Sequence, residues 1–217
     1  MMNTRQRSAI VLIAGLVLAT GAACAPGADG TEPTSSATST ATPAPSPSAS
    51  PTASPSADPQ DPTTWIISED GVGPIEIGGV LADTLAELPS TWTDDENCTW
   101  TAWWNADDSS YGVFFVRGTE SEDAPIREIS VYTAAQTPVA LASPVTAEGL
   151  GLGATKEEVL SAYPDAEEGT AQIGEGTWVK VPSDSDAHIF FDYREDVVGA
   201  SDVVVTTGDQ PSYEVCG

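Results

Sequence analysis

Positive charge is scarce in this chain of 217 residues, which sets 7 Lys and Arg against 33 Asp and Glu for a formal charge of −26. Gripping a phosphate backbone takes clustered Lys and Arg. Beyond the N-terminal stretch the basic residues are Arg117, Arg127, Lys156, Lys180 and Arg194, scattered along the chain, so nucleic acid is not an expected partner. The same charge repels anionic lipid headgroups, and the acidity is read first as a solubility feature. Histidine occurs once, at His188, and no GxSxG, HExxH or SxxK pattern is present, so no catalytic residue is assigned. Three cysteines without a CxxC spacing give no zinc site. The apolar stretch 9–23 is 15 residues long, short of the roughly 18 that cross a bilayer.

What is present begins with an export signal. Arg5 and Arg7 precede that apolar stretch, which ends in the small residues Thr20, Gly21, Ala22 and Ala23 before Cys24. Small residues ahead of a cysteine resemble the bacterial lipobox, in which the thiol is acylated and becomes the mature N-terminus. The expected organisation is thus a lipoprotein signal peptide over 1–23 and a lipid anchor at Cys24, with the bilayer as partner through the acyl chains and the protein on the extracytoplasmic face of the membrane. Gly21 stands where that motif usually has a larger apolar residue. The other reading is ordinary cleavage at Ala23-Cys24-Ala25, which Pro26 disfavours. With Cys24 assigned to lipid, Cys98 and Cys216 remain as a pair for an oxidising compartment. Their bridge would close a long loop, worth about 4 to 5 kcal/mol in the chain-entropy picture; two buried free thiols are the alternative.

Residues 25–62 contain 9 Pro, 14 Ser or Thr and 8 Ala, with no Val, Leu, Ile, Met or aromatic. A segment with nothing to bury cannot recover the entropy of ordering, so a disordered linker is expected over 24–62 including the anchor. All six tryptophans follow it. Shifting the remaining sequence by 75 residues aligns Gly78 with Gly153, Leu85 with Leu160 and Pro89 with Pro164, and carries Trp103 onto Trp178 and Phe115 onto Phe190. Two repeats follow, 63–140 and 141–217. Each opens with a short helix. Thr155 and Glu158 form a capping box for the second, which stops before Pro164 as the first, near 81–88, stops before Pro89. Alternating β-branched and aromatic segments at 98–105, 111–117, 126–133, 177–182, 187–193 and 197–206 read as strands. The fold class is α+β: two tandem repeats, each a short helix packed on one face of an antiparallel β-meander.

The paired signatures Ile77-Gly78-Gly79 with Leu85-Ala86-Glu87-Leu88-Pro89, and Leu152-Gly153-Ala154-Thr155-Lys156-Glu157-Glu158-Val159-Leu160-Ser161-Ala162-Tyr163-Pro164, resemble those of actinobacterial lipoproteins with tandem repeats of the β-lactamase-inhibitor-protein-like fold. That resemblance covers 66–216. It implies helices on one side of the sheet and a concave aromatic side able to grip a partner protein, with no contact residue carried over.

Alternation assigns the faces. Val179 and Val181 point to the helix, which leaves Trp178 and Lys180 on the open side. The 75-residue shift then places Trp104 inward and Trp103 outward. In the next strands Phe114, Val116, Ile189 and Phe191 are expected in the core, and Val113, Phe115, His188 and Phe190 on the open face. Trp103, Phe115, Trp178, Phe190 and His188 form the expected ligand-binding face; burial of these aromatics between the repeats is the alternative. His188 with Asp184 and Asp186 lacks a fourth ligand, and Asp94, Asp95, Glu96, Asp107 and Asp108 lack a calcium-loop spacing, so no metal is expected. Gly149, Gly151 and Gly153 do not make a nucleotide cradle, and no cofactor is expected. The expectation is a non-catalytic binding domain for a protein or cell-wall ligand. Inhibition of a secreted hydrolase and hydrolysis at an unrecognised carboxylate site are the alternatives.

Overall fold

The computed structural model describes residues 58–137 and 143–216; the expected signal peptide, the expected lipid anchor at Cys24 and the expected linker up to residue 57 lie outside the described residues. Composition assigned 58–62 to the linker, yet these residues form a capped turn. The Asp61 carboxylate accepts from the Thr63 amide, Pro62 is buried, and Trp65 Nε1 donates to the Asp58 carbonyl.

The described chain is mixed α/β and mostly sheet. A small sheet pairs β1 (Ile66–Ser68) antiparallel with β2 (Gly71–Val72), β2 with β3 (Ile75–Glu76), and β1 parallel with β8 (Val145–Thr146). The large sheet contains β4 (Thr93–Asp95), β5 (Cys98–Asn105), β6 (Gly112–Arg117) and β7 (Ile126–Tyr132), then β9 (Glu167–Thr170), β10 (Thr177–Lys180), β11 (His188–Tyr193) and β12 (Asp202–Thr206). Its order is β4-β5-β6-β7-β12-β11-β10-β9, antiparallel throughout. Each run of four consecutive strands is a meander, and β7 pairs with β12 at the seam.

Two short helices pack on one side of this sheet, α1 (Leu81–Glu87) and α2 (Lys156–Ala162), with bounds 75 residues apart. The α2 capping box is formed: Thr155 Oγ1 accepts from the Glu158 amide, and the Glu158 carboxylate accepts from the Thr155 amide. The α1 N-cap is Val80, without a side-chain cap. Gly78 and Gly153 both hold left-handed backbone, at φ of 86° and 80°, a conformation costly for residues with a Cβ. In one half Gly78 N–H donates to Ile126 and Ile126 N–H to Gly79; in the other Gly153 N–H donates to Ala200 and Ala200 N–H to Ala154.

The core lies on the helix side, with Leu81, Val159, Val179, Val181, Ile189, Phe191, Ile129, Val131, Val203 and Val205. Trp65 stacks on Trp92, which meets Trp104 and Phe115. This corrects one expected face. Phe115 and Val113 are fully buried in the core, whereas Phe114 and Val116 point to the other side. The reason is loop length. Six residues, 106–111, join β5 to β6, and seven, 181–187, join β10 to β11. The single extra residue breaks the 75-residue correspondence, and a one-residue slip turns every side chain of a strand to the opposite face. Trp103 therefore pairs with Phe114, and Lys180 with Phe190.

The register makes a measurable distinction. Phe115→Ala should cost about 3 to 5 kcal/mol by chemical denaturation, and Phe114→Ala, at a half-buried position, less than half as much. Equal costs would mean that the faces are assigned wrongly.

Candidate functional site

The side of the large sheet away from the helices carries two aromatic groups and a row of acids. In the first half Trp103, Phe114 and Tyr132 are in mutual contact, with ring centroids 4.6 to 6.1 Å apart. In the second half the Trp178 ring meets Phe190 edge-on at 5.4 Å, and Lys180 Nζ lies 5.7 Å from the Phe190 ring centre. Trp178 also lies across its cross-strand neighbour Gly169, where a Cβ would come within 2.1 Å of the indole. Its Nε1 donates to the Thr170 carbonyl. Gly169 thus lets the indole lie flat along the strand.

Of the five expected face residues, Trp103, Trp178, Phe190 and His188 lie on this open side and Phe115 does not. Phe190 is fully buried, so it supports Trp178 from beneath and offers no contact area. His188 sits in a separate recess of about 200 Å³ with Lys180, Glu167 and Ser183, and its Nδ1 is buried without a hydrogen-bond partner. Trp103 and Trp178 belong to separate aromatic groups and do not form a continuous strip.

Alternation could not reveal what covers part of this face. After β12 the chain turns back as an irregular strap, 207–216. Thr207 N–H donates to the Arg127 carbonyl, Ser212 N–H to Glu128 Oε2 at 3.0 Å, and Trp100 Nε1 to the Val215 carbonyl. The strap ends in the Cys98–Cys216 disulfide, with Cα atoms 5.5 Å apart. Its course from β12 past β7 to β5 accounts for the burial of Thr101, Val116, Glu128 and Thr206, residues of the outward side.

Between the strap and the second half lies a cavity of about 610 Å³, lined by Trp178, Asp192, Asp202 and Arg194 with Pro211, Ser212 and Tyr213 of the strap. Asp192 and Asp202 are direct cross-strand partners on β11 and β12, and Asp202 faces Tyr132 across the seam. Burial, reinforced by the Asp202 and Glu128 charges, pushes the Asp192 carboxyl up to about 7. Burial also raises Asp202, against a hydrogen bond from Ser201 and the charge of Arg194. Glu128 is raised by burial, partly offset by the Ser212 donor. Arg194 forms no ion pair with these acids; its Nη2 donates to the Thr133 carbonyl. Among the described residues the ion pair is Lys156 with Glu168 on the helix side, and no group of three or more His, Cys, Asp and Glu side chains is placed to hold a metal ion.

Sequence reasoning did not single out Asp192, Asp202, Glu128 or Tyr213. The available signal was an Asp at the edge of an apolar strand run, in Phe190-Phe191-Asp192-Tyr193 and Asp202-Val203-Val204-Val205.

No protein-family model matches the chain, and no curated protein matches it. An extracellular protein containing a SCP domain from Bacillus anthracis str. Ames, known from its crystal structure, is similar at a TM-score of 0.34 and 16% identity over 60% of this chain and 43% of that one. The chain thus spans less than half the length of that neighbour, and a likeness so slight carries no argument about fold or function. No helix among the described residues is long and apolar enough to cross a membrane.

The raised acids fix the direction of a pH effect. An acid whose folded pKa exceeds its unfolded value binds more protons folded than unfolded, so stability falls as pH rises between the two values. For Asp192 that window runs from about 4 to about 7, and Glu128 and Asp202 act in the same direction. Melting temperature should therefore rise as pH is lowered from 7.5 toward 5. Asp192→Asn should stabilise the protein at pH 7.5 by about 2 to 4 kcal/mol and flatten the pH dependence. A variant less stable than the parent at pH 7.5 would contradict this.

Proposed function

We propose that this protein is a non-catalytic binding module, held on the extracytoplasmic face of a bacterial cell membrane by acylated Cys24, that takes a protein or cell-wall ligand in the cleft beside Trp178. On this reading 63–140 and 141–217 are copies of one unit, a short helix with a four-stranded meander, and the chain resembles lipoproteins with tandem repeats of the β-lactamase-inhibitor-protein-like fold. The equal spacing of α1 and α2, the matched pairs of backbone hydrogen bonds at Gly78 and Gly153, and the mirrored strand order support it.

The observation that carries the binding reading is the cleft itself, an accessible cavity with one indole wall and two acids that form no ion pair. Partly buried carboxylates without an ion-pair partner are unfavourable, and a ligand ammonium or guanidinium would add the positive charge that Arg194, turned to the Thr133 carbonyl, supplies only from a distance, while lying against the indole. Basic side chains of a protein and free amines of wall peptides both carry that group.

Titration of an oligolysine peptide into the protein by calorimetry tests this. Asp192→Asn and Trp178→Ala should each weaken binding at least tenfold. Affinity should also fall as pH drops below about 7, where Asp192 takes up a proton. Because Asp192→Asn is expected to stabilise the fold, weaker binding in that variant cannot come from unfolding. Unchanged affinity in both variants would remove the cleft as the site.

The same pair of acids favours a second reading, hydrolysis with Asp192 as the proton-transferring group, since a carboxyl titrating near neutrality beside a second acid suits general acid–base work. Turnover of a wall glycan or peptide that disappears in Asp192→Asn would select it. Anchoring is tested separately: Cys24→Ser should move the protein from the membrane fraction into the medium, and retention at the membrane would overturn the lipid anchor.

A further inference from the structure

We propose that residues 207–216 are a reductively released latch, and that opening the Cys98–Cys216 bond frees this strap and uncovers the cleft, a regulation that rests on the binding reading above. Between residues 207 and 216 no strand or helix forms. Its anchors past Thr207 are few: the Ser212 amide on Glu128, the Trp100 indole on the Val215 carbonyl, and the disulfide. Only the last is covalent, and it joins the far end of the strap to β5. Without it, scattered single hydrogen bonds and no ladder or helix remain to oppose the conformational freedom of ten residues, a balance that favours release.

The acid beneath the strap adds to that tendency. Glu128 is 2% exposed, and burial disfavours its charged form. A buried carboxylate is costly to keep dry even with one amide donor, and Glu128 would gain water once the strap leaves. The cleft gains as well. Pro211, Ser212 and Tyr213 form one wall of the cleft opposite Asp192, Asp202 and Trp178, so release removes that wall and widens the opening.

The two sulfurs differ in access, since Cys216 is exposed whereas Cys98 is fully buried. A thiolate of an external dithiol would attack Cys216 Sγ, forming a mixed disulfide and breaking the Cys98–Cys216 bond. The Cys98 thiolate leaves and takes a proton. The second thiol of the dithiol then attacks the mixed disulfide, releases Cys216 as a thiol, and closes the reductant into its own disulfide. Two electrons and two protons pass from the dithiol to the two cysteines.

Hydrogen–deuterium exchange on the full chain, oxidised and after treatment with dithiothreitol, tests the latch. Reduction should speed exchange of the Ser212 amide and its strap neighbours at least tenfold, while β7 and β12 amides stay protected. Acrylamide quenching of Trp178 fluorescence should increase, read in a variant whose other five tryptophans are replaced by Phe, or by ¹⁹F labelling of the indoles if that variant does not fold. Cys216→Ser, which cannot form the bond, should match the reduced parent without added dithiol. Strap amides equally protected in both states would overturn the proposal. So would loss of protection in β7 and β12, or a Cys216→Ser chain that does not fold, since the bond would then be a staple for the whole domain. A freed strap with Trp178 quenching unchanged would also overturn the gating of the cleft. None of these measurements uses a ligand, so failure of the latch is distinguishable from failure of the binding reading.

Discussion

The ladder between β7 and β12 is the interaction on which the rest of this protein depends. Each four-stranded meander alone would end in an open edge, with a row of unpaired N–H and C=O groups. Pairing Tyr132 with Asp202 through to Glu128 with Thr206 closes both edges against each other. Two small sheets thereby become one of eight strands, and the strands at the seam become its centre. Ile129, Val131, Val203 and Val205 then share one face beneath the helices, inside a common core.

The same register gathers the acids. Asp202 comes from β12, Asp192 from its neighbour β11, and Glu128 from β7 on the other side of the seam. Their separations in sequence differ widely, yet the ladder brings their charges near enough for Asp202 and Glu128 both to raise Asp192. In a chain with so large an acidic excess, Arg194 is the basic side chain lining this cavity, and it donates to the Thr133 carbonyl and reaches Asp202 through its charge alone. The seam that stabilises the sheet therefore also creates a local electrostatic cost, which the fold tolerates on its open side.

Covering that side falls to residues 207–216. The strap makes little regular structure of its own, so its position depends on the disulfide and on single hydrogen bonds to Glu128 and Trp100. It dries part of the face and leaves the region beside Trp178 as a cavity. The aromatic residues have two different duties: Trp65, Trp92, Trp104 and Phe115 fill the core, while Trp103, Phe114 and Tyr132 line the opposite face.

Local chemistry in the sequence determined the elements. Thr155 with Glu158 caps α2, Pro89 and Pro164 follow the helix ends, and alternating apolar residues mark the long strands, because each signal acts within a few residues of its cause. The phase of Val179, Ile189 and Phe191 was legible for the same reason. Leftover cysteines named Cys98 and Cys216 as a pair, without saying that they pin a strap. What the tertiary structure alone decided is which strands are neighbours, which face each side chain meets after a loop one residue longer, and what lies over Glu128. Those outcomes come from contacts between residues far apart in the chain: Phe115 turned inward through the length of a hairpin, and Asp192 was raised first by burial and then by the Asp202 and Glu128 charges, through strand pairing that no local pattern encodes.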